Sequence, residues 1–468
     1  MPHIRYVCLS DLHLGEEDSL LTNLSGEEID PFHPSPVMCR LVDCLRHLIA
    51  ENRDRQKPTL ILNGDILELA LGHENQAAMV FQRFIELIMP EGDELFEEII
   101  FIPGNHDHHL WELARETQYL NHITSHLQQG SPLPFPWHAT NLFMKPGHPL
   151  VTSFFLTDLV QCCRNVRNFQ ILTAYPNFGL LSEDGRQCII FHHGHFIESL
   201  YHLMSTLKSL IFPGRNLPQH VWDIEVENFA WIDFFWSALG RSGDVGKEVE
   251  VIYEKMQNQE QFRKILGTLS QSIRKRYGFW HYLAAFILRF YLLRKMTGTE
   301  RSKVDTLLSD DAGKGLQAYV EGALRKQILL EQHGSMPAHM AFLFGHTHKP
   351  FQKMMAFKGY PGQVYLCNSG GWVVEGEAAQ PLHGGSVVLI DEHLETLSIR
   401  MFNERSDPAG YTVGVEEAAN QKKAHSPFYT KIKGLVDSSA PPWKTFSETV
   451  AVDIRERIDH LRKRISQS

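Results

Sequence analysis

The stretch Thr59-Leu60-Ile61-Leu62-Asn63-Gly64-Asp65 constrains the fold more than any other, because an apolar run halts there at a glycine and then a carboxylate. A short run of this kind reads as a parallel strand buried on both faces. Its C-terminal end delivers Asp65 into a loop, where open α/β sheets hold their ligands. A single Gly-Asp after a strand is usually an ordinary turn, but here the pattern recurs. Residues 4–9 run into Ser10-Asp11-Leu12-His13, and residues 98–102 into Pro103-Gly104-Asn105-His106-Asp107. Residues 187–191 run into His192-His193-Gly194-His195, and residues 340–344 into Gly345-His346-Thr347-His348.

Helical periodicity separates these runs. Val37, Leu41, Cys44, Leu45 and Leu48 predict a helix over 37–50 that leads back to the Asp65 strand, a β-α-β unit. Residues 76–98 read as helical, and the proline-rich stretch 131–149 reads as a surface loop. Between 196 and 335 helical character prevails. Strands at 364–367, 386–390 and 397–402 are expected to form a second sheet as a meander. The expected organisation is a catalytic domain over 1–195 and 336–404, a helical insertion over 196–335, and a C-terminal extension over 405–468. The extension closes with an amphipathic helix carrying Val450, Ile454, Ile458, Leu461 and Ile465.

With 468 residues, 43% hydrophobic and 21% charged, the chain has the composition of a globular protein. A formal charge of -10 argues against a broad nucleic-acid-binding surface, and 26 histidines invite a metal reading. The seven cysteines show no paired metal-binding spacing and read as free thiols in a reducing compartment. Residues 1–7 lack the charged and apolar regions of a secretory signal, so a cytoplasmic protein is expected.

The strand ends together offer Asp11, His13, Asp65, Asn105, His193, His346 and His348. Asp11 and His13 are two apart and point the same way in extended geometry. Mixed imidazole and carboxylate donors suit Mn, Fe or Zn better than Ca or Mg. Seven donors are too many for one ion and suit two, with Asp65 bridging a pair about 3.5 to 4 Å apart.

The ordered set Asp-x-His, Gly-Asp, Gly-Asn-His-Asp, His-Gly-His and Gly-His-Thr-His resembles the calcineurin-like metallophosphoesterase superfamily. The resemblance covers residues 4 to 110, 187–195 and 340–372. It implies an α/β fold class, a four-layer αββα metallophosphoesterase sandwich with a large helical insertion. It further implies two divalent ions, Mn first and Fe or Zn otherwise, and hydrolysis of a phosphate ester or pyrophosphate by a metal-bridging hydroxide. One ion would take Asp11, His13, Asp65 and His348, and the other Asp65, Asn105, His193 and His346. His193, immediately before the glycine, matches the family ligand, which leaves His192 and His195 as neighbours. His106 is then free to protonate the leaving group or contact phosphate. Glu68 occupies the position of a carboxylate that orients it, with Asp107 as the competing partner. Asn368-Ser369-Gly370-Gly371-Trp372 resembles a family segment that turns close to the site.

Within the superfamily, Asp-Leu-His-Leu-Gly, Gly-Asp-Ile-Leu-Glu-Leu and Gly-His-Thr-His-Lys-Pro are most similar to the branch of UDP-2,3-diacylglucosamine diphosphatases. Those enzymes commonly carry Arg where this chain has His106, which leaves phosphomonoesters and phosphodiesters open as substrates. The expected partner is a phosphorylated small molecule or a lipid-linked substrate. A nuclease would need a basic groove, and a non-catalytic scaffold would show degenerate ligands. Residues 272–296 join basic ends to an apolar, aromatic centre that is too short and too charged to span a bilayer. They read either as a buried lid helix or as a peripheral contact on the inner membrane face.

Overall fold

Alternate side chains of a strand face opposite sides of its sheet, and in this chain both sides are apolar. The computed structural model describes residues 2–52, 56–130, 133, 137–144, 151–162, 169–212, 214–238, 300–416 and 426–467. In Thr59–Asn63, Leu60 and Leu62 enter a core shared with helices, while Ile61 enters a core shared with a second sheet. Ile99 and Phe101 part from Ile100 and Ile102 in the same way. On the facing sheet, Cys188 and Ile190 part from Ile189 and Phe191, and Phe342 parts from Ala341 and Leu343.

The strands in chain order are β1 (Ile4–Leu9), the small hairpin β2 (Leu24–Ser25) and β3 (Glu28–Ile29), β4 (Thr59–Asn63), β5 (Glu98–Ile102), β6 (Val151–Thr152) and β7 (Ile171–Thr173). They continue with β8 (Asn177–Leu181), β9 (Gln187–His192), β10 (His339–Phe344), β11 (Phe351–Ala356), β12 (Gln363–Asn368), β13 (Gly384–Asp391), β14 (Thr396–Asn403) and β15 (Gly414–Glu416). One sheet has the order β15-β14-β13-β1-β4-β5-β7-β6, and the other β11-β12-β10-β9-β8. Strands β1, β4, β5 and β7 run parallel, as do β9, β10 and β12. The C-terminal ends of the central strands therefore open onto one edge of each sheet.

Helices complete four layers. Helix α1 (Pro36–Ile49) starts where the Ser35 side chain accepts from Met38 N at 3.0 Å and Pro36 fixes the first turn. It buries the predicted Val37, Leu41, Cys44, Leu45 and Leu48. Helix α2 (Glu74–Ile88) ends ten residues short of the expected 98, because Pro90 and Gly92 break it. The second sheet is covered by the helix Asp310–Tyr319 and its continuation Arg325–Glu331, which bury Leu316, Tyr319 and Ile328 against Ile190 and Phe342. Elsewhere in 196–335 the helices Leu203–Ile211 and Val221–Trp236 are present. Residues 272–296 lie outside the described residues, as do the rest of 239–299.

The sheet pairing of the later strands also differs from expectation. Residues 364–367, 386–390 and 397–402 do not form one meander. Strand β12 pairs in parallel with β10, whereas β13 crosses to the other sheet and pairs antiparallel with β1. Val388 and Ile390 of β13 face the inter-sheet core while Val387 and Leu389 face the helices, so its pattern suits a place in either sheet. The C-terminal helix Trp443–Gln467 is built into the outer layer, where Trp443, Phe446, Val450, Ile454 and Ile458 join the core shared with α1.

Candidate metal centre

The seven expected donors gather at the strand ends. Five of them enter left-handed backbone: Asp11 at φ 52°, His13 at 45°, Asp65 at 50°, His346 at 67° and His348 at 55°. Such conformations cost about 1–3 kcal/mol each and persist only when the surroundings over-determine them. Here the β1 and β4 loops zip together, with Asp11 N donating to Gly64 O at 2.9 Å, His13 N to Asp65 O at 3.0 Å and Leu14 N to Ile66 O at 2.8 Å. The carboxylates lock neighbouring loops in turn. Asp11 Oδ1 accepts from His346 N and Asp65 Oδ1 from His106 N, both at 2.8 Å. Gly104 and Gly345 are required by close approach, because a Cβ at either would collide with the Asp65 or Asp11 carboxylate.

All seven side chains are buried. Asp11, His13 and His348 bring one donor atom each within 4.8 Å of the others, and Asp65, His193 and His346 do the same. His348 Nε2 lies 3.3 Å from Asp11 Oδ1, and His193 Nε2 lies 3.1 Å from both Asp65 Oδ2 and Asn105 Oδ1. His13 Nε2 stands 3.7 Å from the same Asp65 Oδ2, which makes that oxygen the meeting point of the two groups. Asp11 Oδ2 and His13 Nε2 are buried without a hydrogen-bond partner.

Each imidazole has its second nitrogen held from behind. His13 Nδ1 meets Glu68 Oε2 at 2.8 Å, His348 Nδ1 meets Glu375 Oε1 at 2.8 Å, and His346 Nε2 meets Glu198 Oε1 at 2.8 Å. His193 Nδ1 faces Asn63 O at 3.4 Å. This fixes ring orientation and leaves the inward nitrogen as the donor, the arrangement that supports metal-binding histidines. The donor set and the unpartnered inward atoms thus fit a pair of divalent cations.

Burial alone would raise Asp65, but His193 and then His106 hold it well below the usual carboxylate range. Asp11 is likewise lowered against burial by His193 and His348. Burial pushes His346 down to about 4, with Glu198 opposing, so this imidazole is neutral at neutral pH. His13 goes the other way, because Glu16 and Glu68 outweigh its burial and hold it well above the ordinary value.

His106 Nδ1 lies 2.7 Å from Glu68 Oε2, so one carboxylate serves both His106 and His13. Asp107 departs from the expectation that it competes for His106. Its Oδ2 accepts from Ile66 N at 2.7 Å and its Oδ1 from Gly104 N at 2.7 Å, so the carboxylate braces two loops. Burial, reinforced by Asp65, pushes it up to about 6. His192 and His195 stay out of the donor groups; His195 Nε2 lies 3.4 Å from the Tyr175 hydroxyl. The 368–372 segment does turn beside the site, with Trp372 N donating to Asp11 O at 3.0 Å and Ser369 Oγ 2.6 Å from Ser10 Oγ. Sequence reasoning missed Glu198, Glu375 and Arg301. They stand outside every motif, and nothing in their local sequence marks them.

Strand-end donors beside two stacked sheets form an arrangement able to hold divalent cations against a phosphoric ester. Residues 4–210 match the family described as Calcineurin-like phosphoesterase. Among solved structures, a dimetal phosphatase from Danio rerio is similar at 12% identity, over 86% of this chain and 99% of that one, with a TM-score of 0.28. A comparison with curated proteins finds no match.

Proposed function

We propose that the protein is a dinuclear phosphoesterase in which Asp11, His13, Asp65 and His348 hold one divalent ion and Asp65, Asn105, His193 and His346 the other, with manganese the favoured metal. The observation that carries this reading is the backing of every inward-facing imidazole by a carboxylate or carbonyl. When bound, such a pair supplies Lewis acidity and a nucleophile at neutral pH for in-line displacement. The chain's own residues set the rest. Asp65 lies between the two donor groups, and Glu68 orients His106 through Nδ1, which leaves Nε2 to protonate the leaving oxygen or to hold a phosphate oxygen. Six described cysteines, Cys8, Cys39, Cys44, Cys162, Cys188 and Cys367, are unbridged, which supports a reducing, cytoplasmic setting. No helix among the described residues is long and apolar enough to cross a membrane.

A cavity of about 840 Å³ favours a second reading. It is walled by Phe196, Ile197, Leu200 and Tyr319, with Glu198 and Glu300 also on its lining. Glu198 is the residue that backs His346, so the cavity adjoins the donor cluster and offers room for an apolar substituent, as in a lipid-linked diphosphate. The test is a panel of phosphomonoester, phosphodiester, nucleotide-diphosphate lipid and DNA, run on protein stripped of metal and reloaded with Mn, Fe or Zn. Hydrolysis of a phosphomonoester or phosphodiester only in the reloaded protein is expected, and preference for the lipid diphosphate would select the second reading. Reloaded protein that cleaves nothing in the panel would contradict both.

A further inference from the structure

Arg301 reaches the meeting point of the two donor groups from a distant part of the chain. Its Nη2 donates to Asp65 Oδ2 at 3.1 Å and its Nε to His346 O at 2.8 Å, while Nη1 lies 3.7 Å from Glu375 Oε1. The residue is only 6% exposed, on a short turn at Glu300–Ser302 just after the segment 239–299.

That turn is held from several sides. The Lys349 ammonium, next in sequence to His348, donates to the carbonyls of Glu300, Lys303 and Thr306 at 2.6, 2.7 and 3.0 Å. His383 Nε2 stands 3.1 Å from the Arg301 carbonyl. Glu198 accepts from Glu300 N at 3.1 Å with one oxygen and holds His346 with the other. The elements that position the metal ligands therefore also fix the backbone that carries Arg301. A guanidinium is always charged and planar, and its fork matches the oxygens of a phosphoryl group.

A bridging carboxylate that shares two divalent cations has no need of a third positive charge. Beside those cations Arg301 is repelled unless an anion joins them. We propose that Arg301 is a substrate-binding residue that grips the non-bridging oxygens of the phosphoryl group. The assignment rests on the dinuclear reading above. It adds a recognition group supplied from within the 196–335 insertion, outside all the strand-end motifs, and it makes the phosphoryl dianion the feature this residue selects.

The test compares wild type with Arg301→Lys and Arg301→Ala, and uses the exposed Lys353→Ala as a charge control. Metal content is measured by elemental analysis, and the affinity of the manganese-loaded proteins for inorganic phosphate by calorimetry. All four proteins are expected to keep two ions per chain. Phosphate affinity should fall at least tenfold in Arg301→Ala, fall less in Arg301→Lys and hold in Lys353→Ala, and added guanidinium ion should restore part of the loss in Arg301→Ala. Should Arg301→Ala misfold, Arg301→Lys carries the test, since it keeps the charge and loses the fork. Two retained ions with phosphate affinity equal to wild type would overturn the assignment alone. Loss of both ions in the folded Arg301→Lys protein would also overturn it, by making Arg301 a support of the metal ligands. A wild type that takes up no ions would remove the dinuclear reading itself and the assignment with it.

Discussion

Glu68 carries more of the site's order than its single charge suggests, since its Oε2 meets both His13 and His106 while its Oε1 accepts from Ala70 N and Leu71 N at 2.8 Å. Burial alone would raise this carboxyl, yet His106 and His13 hold it far below its usual range. The two imidazoles have different tasks: His13 joins Asp11 and His348, whereas His106 stands outside both proposed ion sets. His106→Ala is therefore expected to reduce turnover by roughly 10²–10⁴-fold, the range for a lost general acid, while elemental analysis still finds two ions. Loss of both ions in that variant would contradict the role given to His106. At this scale the convergence of these seven side chains was legible, because each follows an apolar run and four of them directly flank a glycine. Gly104 and Gly345 now have a reason, since the carboxylates of Asp65 and Asp11 occupy the space their side chains would need. Glu198, Glu375 and Arg301 were not legible. Each reaches the centre only through contacts between segments far apart in sequence, and an isolated Glu or Arg in a loop or helical stretch carries no such information.

The strands were the most readable elements, because continuous apolar runs require burial on both faces and only a two-sheet stack with outer helices supplies it. Period alone did not say which sheet a run joins, and so β13 and β14 were assigned to the wrong one. Their place is set by the turn at Asn368–Trp372, where Gly370 adopts φ 75° and Gly371 N donates to Gly384 O at 2.9 Å. The C-terminal helix is likewise more integral than its late position suggests. Arg457 donates to the carbonyls of Glu17 and Thr22, and Arg464 pairs with Glu17 at 2.8 Å and Asp18 at 2.6 Å, on the loop that follows His13. Ile454 is 1% exposed in the core shared with α1. Ile454→Ala should lower the unfolding free energy by about 2–5 kcal/mol, the usual range for an Ile→Ala change at a buried site, as read by urea denaturation of the full chain. A loss below about 0.5 kcal/mol, the level of ordinary surface changes, would show that the helix is not part of the core.

Across the whole molecule, parallel strands in both sheets present their C-terminal ends at one shared edge, which is how residues from Asp11 to His348 meet within a few ångströms. The segments between strands can grow without disturbing that edge, and the long one between β9 and β10 returns Glu198 and Arg301 to it. The net charge of -10 describes the chain as a whole, whereas the proposed chemistry draws on a local cluster of carboxylates that two divalent cations would balance. The most direct test is anomalous diffraction from crystals of the manganese-loaded protein. It should show two peaks about 3.5–4 Å apart, the spacing of shared two-metal sites, with one on the side of Asp11, His13 and His348, the other on the side of Asn105, His193 and His346, and Asp65 touching both. A single peak, or two ions with Asp65 bound to only one of them, would contradict the account.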